Sequence, residues 1–326
     1  MPLLYILFGL ALVFSFFNGF HDSSNIVATI ISSRAMSART ALSLTAISEL
    51  AGAIVFGLGG AAVAQTIGTG IVPASVIHIQ ALIAAMAGAI IWSIATWLLG
   101  IPSSSSHTLI GGLIGAAWAQ AGLSIIEVPG LVKVILALFL SPIIGFEFGY
   151  LFTKLVFFLA QNSSMRVNNF FKKAQIFTGM GLAFSHGSND PQKTMGVMAL
   201  GLLLMGINKS FELPWYVVFS AAAATALGTA IGGWRLIKTI GARLYKIRPV
   251  HGFSSQVSSA LVILGAALIG GPVSTTQVIS SAVLGAGSAQ RVNMVRWGVV
   301  GQMLLAWALT IPITALISAG IFWVIK

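Results

Sequence analysis

The chain has 326 residues, of which 57% are hydrophobic and only 7% are charged. That composition excludes an ordinary soluble domain, since such domains carry about 25% charged residues and expose few large apolar patches. The lack of cysteine excludes disulfides and thiolate metal sites. The net charge of +11 is attributed to basic membrane loops, because no zinc or aromatic–basic pattern of a nucleic-acid binder accompanies it. No nucleic-acid partner is therefore expected.

Apolar stretches separated by short polar connections follow one another along the whole chain. Each is near or above the ~20 residues that a spanning helix needs. The N-terminal stretch lacks a positive n-region and a small-residue cleavage site, so we expect a first span and not a signal peptide. The pattern predicts an all-α polytopic membrane protein with roughly 10–12 membrane segments, including interrupted helices or re-entrant hairpins. The predicted segments are 3–33 (broken near 18–25), 42–64, 78–99, 103–122, 131–159, 176–206 (broken near 185–193), 214–233, 251–270, 272–289 and 297–325.

Basic residues orient these segments. The loop Trp234–Pro249 contains five of the 17 Lys and Arg residues, and the positive-inside rule places it in the cytoplasm. Counting crossings outward from this loop puts the connections 34–41, 160–175 and 290–296 on the same side, where most of the other basic residues lie. We therefore expect a multi-pass protein of the plasma membrane with its large basic loops in the cytoplasm.

Two motifs recur in the two halves at nearly the same spacing. Gly19-Phe-His-Asp22 in the first half matches Gly187-Ser-Asn-Asp190 in the second, and a proline before a Ser/Thr run recurs as Pro102 and Pro272. In the crossing count each half crosses an odd number of times, so the halves are oppositely oriented. Inverted repeats with interrupted helices are typical of secondary transporters, whose substrate site lies at the repeat interface. The predicted units are a first repeat (1–160), a cytoplasmic connection (161–175) and a second, inverted repeat (176–326).

Two carboxylates, Asp22 and Asp190, lie inside apolar segments. A charged side chain at the bilayer centre costs at least ~2.5–3.5 kcal/mol, so it needs a partner or a function. One interpretation is a structural cap at a helix kink. The other is coordination of a cation, either sodium or a proton, with amide oxygens that suit a hard cation. The candidate sodium ligands are Asp22, Asn25, Asn189, Asp190 and Asn18.

A Ser/Thr run in each half follows a proline and precedes an apolar helix pattern. Proline favours the first helical turn, hydroxyls cap its free N–H groups, and such a terminus attracts anions. One interpretation is ordinary capping. The other, favoured because the pair is repeated and inverted, is one anion site approached from both sides. The candidate ligands are Ser104, Ser105, Ser106, Ser274, Thr275 and Thr276.

Further polar residues accompany these motifs. Lys193 is the only basic residue that the predicted topology buries, and it either pairs with an aspartate or contacts an anion. Lys193 and its neighbour Gln192 are therefore added to the candidate phosphate ligands. Glu49 either gates, binds a cation or forms an internal ion pair. The three histidines beside the motifs are structural residues or proton carriers. They are His21, His107 and His186.

The motifs resemble those of the inorganic phosphate transporter (PiT) family over nearly the whole chain. The resemblance rests on N-G-F-H-D-S-S-N at 18–25, on S-H-G-S-N-D-P-Q-K-T-M-G at 185–196, and on the turns P-S-S-S-S-H and P-V-S-T-T-Q. The stretch G-G-W-R-L-I-K-T-I-G at 232–241 is similar to bacterial and archaeal members. The chain looks like a minimal prokaryotic form, since the connection at 160–175 is short.

The resemblance implies sodium- or proton-coupled phosphate uptake through inverted repeats with two central hairpins, in a protein that is often a homodimer. By similarity, the Asn and Asp residues serve the coupling ion or phosphate, the Ser and Thr turns cradle phosphate, and Glu49 matters for transport. The chain departs from the family where His21 replaces an asparagine and Gln277 replaces a histidine. We therefore group Glu49, His21, His107 and Gln277 as candidate coupling or gating residues.

The sequence thus predicts a symporter that imports inorganic phosphate by alternating access, driven by the sodium gradient. The alternatives are proton coupling, another oxyanion such as sulfate, and an anion channel. An enzyme is not expected, since no metal-ligand cluster or nucleophile–base pair is evident in the sequence. The expected partners are phosphate, sodium as co-substrate, the lipid bilayer and a second copy of the chain, with no organic cofactor.

Overall fold

The computed structural model describes residues 1–101, 103–164, 166–233 and 244–326. Throughout these ranges the regular structure is helical and no strand occurs, so the predicted all-α class is confirmed. Two short 3₁₀ helices, Leu123–Ile125 and Val292–Met294, accompany the α-helices. The α-helices of the described ranges are α1 (Pro2–Ser32), α2 (Ala38–Leu58), α3 (Ala62–Thr69), α4 (Ile79–Leu99), α5 (Ser105–Ala121), α6 (Val128–Leu159), α7 (Val167–Gly187), α8 (Asp190–Leu204), α9 (Trp215–Ile231), α10 (Pro249–Leu268), α11 (Thr275–Gln290) and α12 (Trp297–Ile325).

Six helices of the described part are long and apolar enough to cross a membrane: α1, α2, α4, α6, α10 and α12. Three others, α5, α8 and α11, have 17, 15 and 16 residues, fewer than the ~20 that a spanning helix needs. Short turns join α4 to α5 and α10 to α11, so each pair forms a helical hairpin. The fold therefore combines full-length helices with hairpins, as predicted.

Both hairpin turns begin with a glycine whose backbone is left-handed. Gly100 has φ 68° and Gly270 has φ 70°, and the two glycines hold equivalent positions in the two repeats. Glycine adopts this conformation without the steric cost that a Cβ brings, so both long helices stop sharply at equivalent places. The proline of the second turn, Pro272, is in the described part, whereas Pro102 of the first turn lies outside it.

The predicted break near 18–25 is wrong, because α1 is one continuous helix. Its polar residues are satisfied without a break: the hydroxyls of Ser23 and Ser24 donate to carbonyls one helical turn earlier, at 2.8 and 2.7 Å. Gly19 has a packing role instead. A Cβ there would lie 2.0 Å from the carbonyl oxygen of Thr225, so glycine lets α1 and α9 approach closely.

The break predicted near 185–193 is confirmed. Helix α7 ends at Gly187 and α8 begins at Asp190, with Pro191 in its first turn. Proline has no N–H to continue the hydrogen-bond ladder of the preceding helix, but it fits the first turn of a new one. The chain therefore starts a new helix beside Asp190.

Two other predicted boundaries differ from the structure, and a third lies mostly outside the described residues. The segment 42–64 divides between α2 and α3, where Gly60 has φ 142°. Most of the connection predicted at 161–175 is helical, because the polar first turns of α7 belong to a helix that extends beyond the apolar stretch. The basic loop Trp234–Pro249 is described only from residue 244, where Lys246 and Arg248 are exposed. Its other basic residues, Arg235, Lys238 and Arg243, and most of the motif at 232–241 lie outside the described residues.

The two halves pack against each other in equivalent ways. Helix α1 packs on α9 and α7 packs on α2, so the motif helix of each half contacts a helix of the other half. Likewise α5 packs on α12, and α11 packs on α6. At the contact of α7 with α2, a Cβ on Gly187 would lie 2.1 Å from the carbonyl oxygen of Glu49, matching the close approach at Gly19. The tips of both hairpins are thereby buried at the centre of the fold.

Candidate functional site

The N-termini of α5 and α11 meet at the centre. Ser104 and Ser274 cap these helices, and their hydroxyls accept from the backbone N–H of His107 at 3.2 Å and of Gln277 at 3.3 Å. The two serine hydroxyls lie 2.7 Å apart. Two helix N-termini, each with a partial positive charge, therefore converge from opposite repeats. The structure thus brings the two turns together, and their binding of one anion stays a prediction.

The two aspartates lie beside these turns. Asp22 comes from the polar part of α1 and Asp190 from the first turn of α8. Ser105 donates to Asp22 Oδ2 at 3.3 Å, and its counterpart Thr275 donates to Asp190 Oδ2 at 2.8 Å. Each carboxylate is thus held by the Ser/Thr turn of its own repeat. The structure brings together both pairs of residues that the sequence analysis selected.

A second set of contacts joins residues of opposite repeats. Thr276 of α11, in the second repeat, donates to Oδ1 of Asp22, in the first repeat, at 2.5 Å. Asn25, one helical turn after Asp22, donates to the same oxygen at 2.8 Å and to Thr276 Oγ1 at 3.3 Å. The Asp22 side of the centre is therefore bonded to uncharged donors from both repeats.

The matching contacts around Asp190 involve a charged residue. The ammonium of Lys193 forms an ion pair with Asp190 Oδ1. It also donates to Ser106 Oγ at 2.5 Å and to the carbonyl oxygen of Val273 at 2.7 Å. Of the two interpretations of Lys193, the pairing with an aspartate is present in the structure, and a role in binding phosphate stays a prediction.

His186, one of the three histidines beside the motifs, lies between the carboxylates of this centre. Its Nε2 lies 3.1 Å from Asp190 Oδ2 and 3.4 Å from Asp22 Oδ2. Its Nδ1 lies 2.6 Å from Glu49 Oε1, and Thr229 donates to Glu49 Oε2 at 2.5 Å. The imidazole therefore connects three carboxylates. The sequence does contain a signal for this position. The spacing between the two aspartates makes His186 the counterpart of Asn18, which is one of the predicted sodium ligands.

Asn18 occupies the position equivalent to His186 in α1. With its amide nitrogen facing the carboxylates, it donates to Asp22 Oδ2 at 2.8 Å and to Asp190 Oδ2 at 3.3 Å. The same nitrogen lies 3.0 Å from Ser105 Oγ. Asn18 and His186 thus bridge the same two carboxylates from the two repeats.

Two predicted ligands point to neighbouring backbone groups. The amide nitrogen of Asn189 donates to the carbonyl oxygen of Gly271 at 2.9 Å. The oxygen of Gln192 accepts from the backbone N–H of Val63 at 3.1 Å and of Ala64 at 3.3 Å. Gln192 therefore caps the start of α3, a helix that the sequence analysis did not separate from α2. Its predicted contact with phosphate remains untested.

The remaining candidates flank the centre. His21 packs against the rings of Phe17 and Phe20, and its buried Nε2 has no hydrogen-bond partner among the described residues. His107 Nδ1 lies 2.8 Å from Ser104 Oγ, and 3.4 Å from the amide nitrogen of Gln277. His107 and Gln277 also line a cavity of about 390 Å³ between α6, α11 and α12. Their coupling or gating roles stay predictions.

We call the assembled residues the central cluster. Its charged members and His186 are at most 1% exposed. Burial of several charged groups requires that they be paired and hydrogen-bonded, and here each carboxylate has such partners. The central cluster comprises Asn18, Asp22, Asn25, Glu49, Ser104, Ser105, Ser106, His186, Asp190, Lys193, Ser274, Thr275 and Thr276.

The central cluster contains atoms suited to a cation. Among the described residues, ligand atoms of Asp22, His186 and Asp190 lie within 4.8 Å of one another. The buried side-chain oxygens of Asn25 and Asn189 accept no hydrogen bond within the described part of the chain. Carboxylate and amide oxygens are the ligands that hard cations prefer.

A membrane chain of two inverted repeats with a buried polar centre between hairpin tips has the architecture of a membrane transporter. The model of the Phosphate transporter family matches this chain twice, at residues 18–167 and at residues 159–318. The chain therefore belongs to the phosphate transporter family, as the resemblance predicted.

Known proteins are similar over the whole length. A protein of Bacillus subtilis named "Probable low-affinity inorganic phosphate transporter" is 42% identical over 324 residues, covering 97% of this chain and 95% of the relative. A Rhizobium meliloti protein of the same name is 42% identical over 320 residues, covering 98% and 95%. A solved structure titled "The sodium-dependent phosphate transporter" matches with a TM-score of 0.90 at 25% identity, covering 100% of this chain and 99% of the other. These relatives are named as transporters and not as enzymes, in agreement with the family to which the chain belongs.

Proposed function

We propose that the chain imports inorganic phosphate together with sodium ions by alternating access around the central cluster. One observation carries the proposal. Two aspartates and two helix N-termini, one of each from each repeat, converge on one buried place, with the capping hydroxyls of Ser104 and Ser274 2.7 Å apart. Oxygen ligands for a cation and hydrogen-bond donors for an anion therefore lie side by side at the repeat interface, where transporters of this class bind their substrates.

Sodium is the cation that the ligand chemistry favours. The unpaired oxygens of Asn25 and Asn189 lie on the same side chains that the sequence analysis selected as ligands. Together with the carboxylates of Asp22 and Asp190 they supply oxygen donors for a hard cation. The solved structure with a TM-score of 0.90 is itself titled a sodium-dependent phosphate transporter, which supports the same choice.

Phosphate is expected at the two Ser/Thr turns. Their hydroxyls and helix N-termini favour an anion without adding a full positive charge. The neighbouring carboxylates would repel phosphate unless cations neutralise them, so cation binding should precede or accompany phosphate binding. Phosphate carries one to two negative charges near neutral pH, and each charge moved against the potential costs about 2.3 kcal/mol per 100 mV. Net import therefore needs at least as many cations as anionic charges.

Proton coupling is the second candidate, and His186 favours it. An imidazole within 3.4 Å of carboxylate oxygens from Asp22, Glu49 and Asp190 is a place where a proton can be held between transport steps. Transport of sulfate or another oxyanion would use the same hydroxyl donors. A channel is the weakest alternative, because the central cluster is closely hydrogen-bonded and buried.

The proposed location and orientation of the transporter in the membrane are those predicted from the sequence. We place it in the plasma membrane, with the basic loops in the cytoplasm as the positive-inside rule expects. Many large apolar side chains on α6 and α12 are exposed, as expected for surfaces that face lipid. The homodimer implied by the resemblance stays a prediction.

The test is labelled phosphate uptake into proteoliposomes, first with an inward sodium gradient at equal pH and then with an inward proton gradient without sodium. Uphill uptake that needs sodium is the expected result. Uphill uptake with protons alone would replace sodium coupling by the second candidate. An excess of unlabelled sulfate should leave uptake unchanged, whereas strong competition would point to a broader oxyanion site. Flux that never exceeds equilibrium would indicate a channel.

A further inference from the structure

The ammonium of Lys193 has the surroundings of a bound cation. Its contacts are the carboxylate of Asp190, the hydroxyl of Ser106 at 2.5 Å and the backbone carbonyl of Val273 at 2.7 Å. Lys193 is 1% exposed, so no bulk water replaces these oxygens. A carboxylate, a hydroxyl and a carbonyl oxygen are also the donors that a hard metal cation takes in proteins.

The first repeat has the same arrangement with an uncharged residue in place of the lysine. Asn25 follows Asp22 at the same spacing at which Lys193 follows the second aspartate, and Thr276 is the counterpart of Ser106 in the repeated turns. Asn25 Nδ2 lies 2.8 Å from Asp22 Oδ1 and 3.3 Å from Thr276 Oγ1. The amide of Asn25 and the ammonium of Lys193 therefore occupy equivalent places, each between an aspartate and a hydroxyl of the opposite turn.

The two aspartates consequently differ in how their charge is balanced. Asp190 has a full positive charge beside it that is covalently attached to α8 and cannot cross the membrane. Around Asp22 the contacts at hydrogen-bonding distance come from uncharged donors and from His186, which it shares with Asp190. A buried carboxylate needs a compensating charge, so Asp22 requires a cation from solution where Asp190 does not.

We propose that Lys193 is a tethered cation that fills the Asp190 half of the site, so that the protein moves one cation fewer per phosphate than it would with an uncharged residue there. This role rests on the proposed function, in which cations move together with phosphate: Lys193 sets how many cations move with each phosphate. It makes residue 193 a determinant of stoichiometry.

The number of charges that move with each phosphate can be measured as the slope of the limiting phosphate ratio, on a logarithmic scale, against the membrane potential. In proteoliposomes with equal pH on both sides, the potassium–valinomycin potential is varied, and the phosphate ratio at which net flux vanishes is recorded. One additional inward charge per phosphate changes this limiting ratio about 50-fold per 100 mV. The slope is thermodynamic, so a variant that is merely slow or less stable keeps the wild-type value.

Four variants are compared with the wild type. Lys193→Asn copies the first repeat, and Lys193→Gln is a second uncharged variant in case the first folds poorly. Both are expected to gain about one charge per phosphate. Lys193→Arg keeps a tethered charge and should keep the wild-type slope. The exchange of the pair, Asn25→Lys with Lys193→Asn, moves the tethered charge to the Asp22 side and should restore the wild-type slope.

Binding of ²²Na⁺ to the purified protein gives a readout that needs no transport. Lys193→Asn and Lys193→Gln should each bind about one more sodium ion than the wild type. Wild-type slopes together with unchanged ²²Na⁺ binding in both variants would overturn the proposal, as would a changed slope in Lys193→Arg. A wild type without sodium-dependent uptake counts against the proposed function alone, because the slope can still be measured with the cation that does drive uptake.

Discussion

The two repeats of this transporter share a geometry but distribute charge differently. Each contributes an aspartate, a Ser/Thr turn and a residue that bridges both carboxylates, and the contacts match pair by pair. The bridging residue is Asn18 in one repeat and His186 in the other, and the residue one helical turn after the aspartate is Asn25 or Lys193. The repeated fold therefore sets the positions of these residues, whereas single side-chain differences decide which half holds a fixed charge.

One motif helix is broken at its aspartate and the other is continuous. Pro191 follows Asp190, and its counterpart in the first repeat, directly after Asp22, is Ser23. Proline ends the hydrogen-bond ladder and starts α8, whereas the Ser23 hydroxyl donates to the carbonyl of Phe20 inside a continuous α1. One residue type therefore accounts for the difference in backbone between the repeats.

The largest expected effect comes from removing either carboxylate. Asp22→Asn and Asp190→Asn should each abolish sodium-driven phosphate uptake. They should differ in stability, because Asp190→Asn leaves Lys193 buried without its partner, at about 3–5 kcal/mol. Asp22→Asn removes a carboxylate bonded mainly to uncharged donors and should cost about 1–3 kcal/mol. Thermal unfolding in detergent measures the difference. Full coupled uptake by both variants would contradict the proposed roles, and equal destabilisation would contradict the uneven charge.

Close helix packing should respond alike in both repeats. Gly19→Ala and Gly187→Ala place a Cβ 2.0 and 2.1 Å from backbone oxygens of α9 and α2, and each should destabilise by about 1–3 kcal/mol. The matched controls are Gly9→Ala in α1 and Gly181→Ala in α7, where a Cβ meets nothing within 4 Å. These controls should be neutral or slightly stabilising. A large effect in one repeat only would break the equivalence of the two contacts.

The smallest effects are expected at the capping serines. Ser104→Ala and Ser274→Ala each lose an N-cap, which typically costs about 1 kcal/mol. The two hydroxyls share one hydrogen bond at 2.7 Å, so the double variant should cost less than the sum of the single variants. Unfolding of the three variants, alongside the apparent affinity for phosphate, measures this coupling. Strict additivity would indicate that the turns act independently.

Much of this architecture could be predicted from the sequence. The composition predicts a membrane protein. The nearly equal spacing of the two repeated motifs predicts that the aspartates correspond to each other and that the Ser/Thr turns do too. His186 was underestimated because a lone histidine carries little information, although its match to Asn18 was available. Thr229 had no sequence signal, since it joins Glu49 only through the packing of α9. The sequence does not reveal that Gln192 accepts from the backbone N–H groups at the start of α3, because the apolar stretch 42–64 shows no boundary between α2 and α3.

The hydrogen bond between Ser104 and Ser274 limits how an anion can bind at the two turns. Between two hydroxyls 2.7 Å apart, one donates and the other accepts, so the turns cannot be in the same state even though their backbones match. His107 Nδ1, 2.8 Å from Ser104 Oγ, sets the direction: where it accepts from Ser104, the pair is completed by donation from Ser274. Neither hydroxyl can give its hydrogen to the other and to an anion at once. An anion that takes both hydrogens must therefore break this bond between the two hairpin tips, so the Ser104–Ser274 contact and the binding of one anion by both hydroxyls exclude each other.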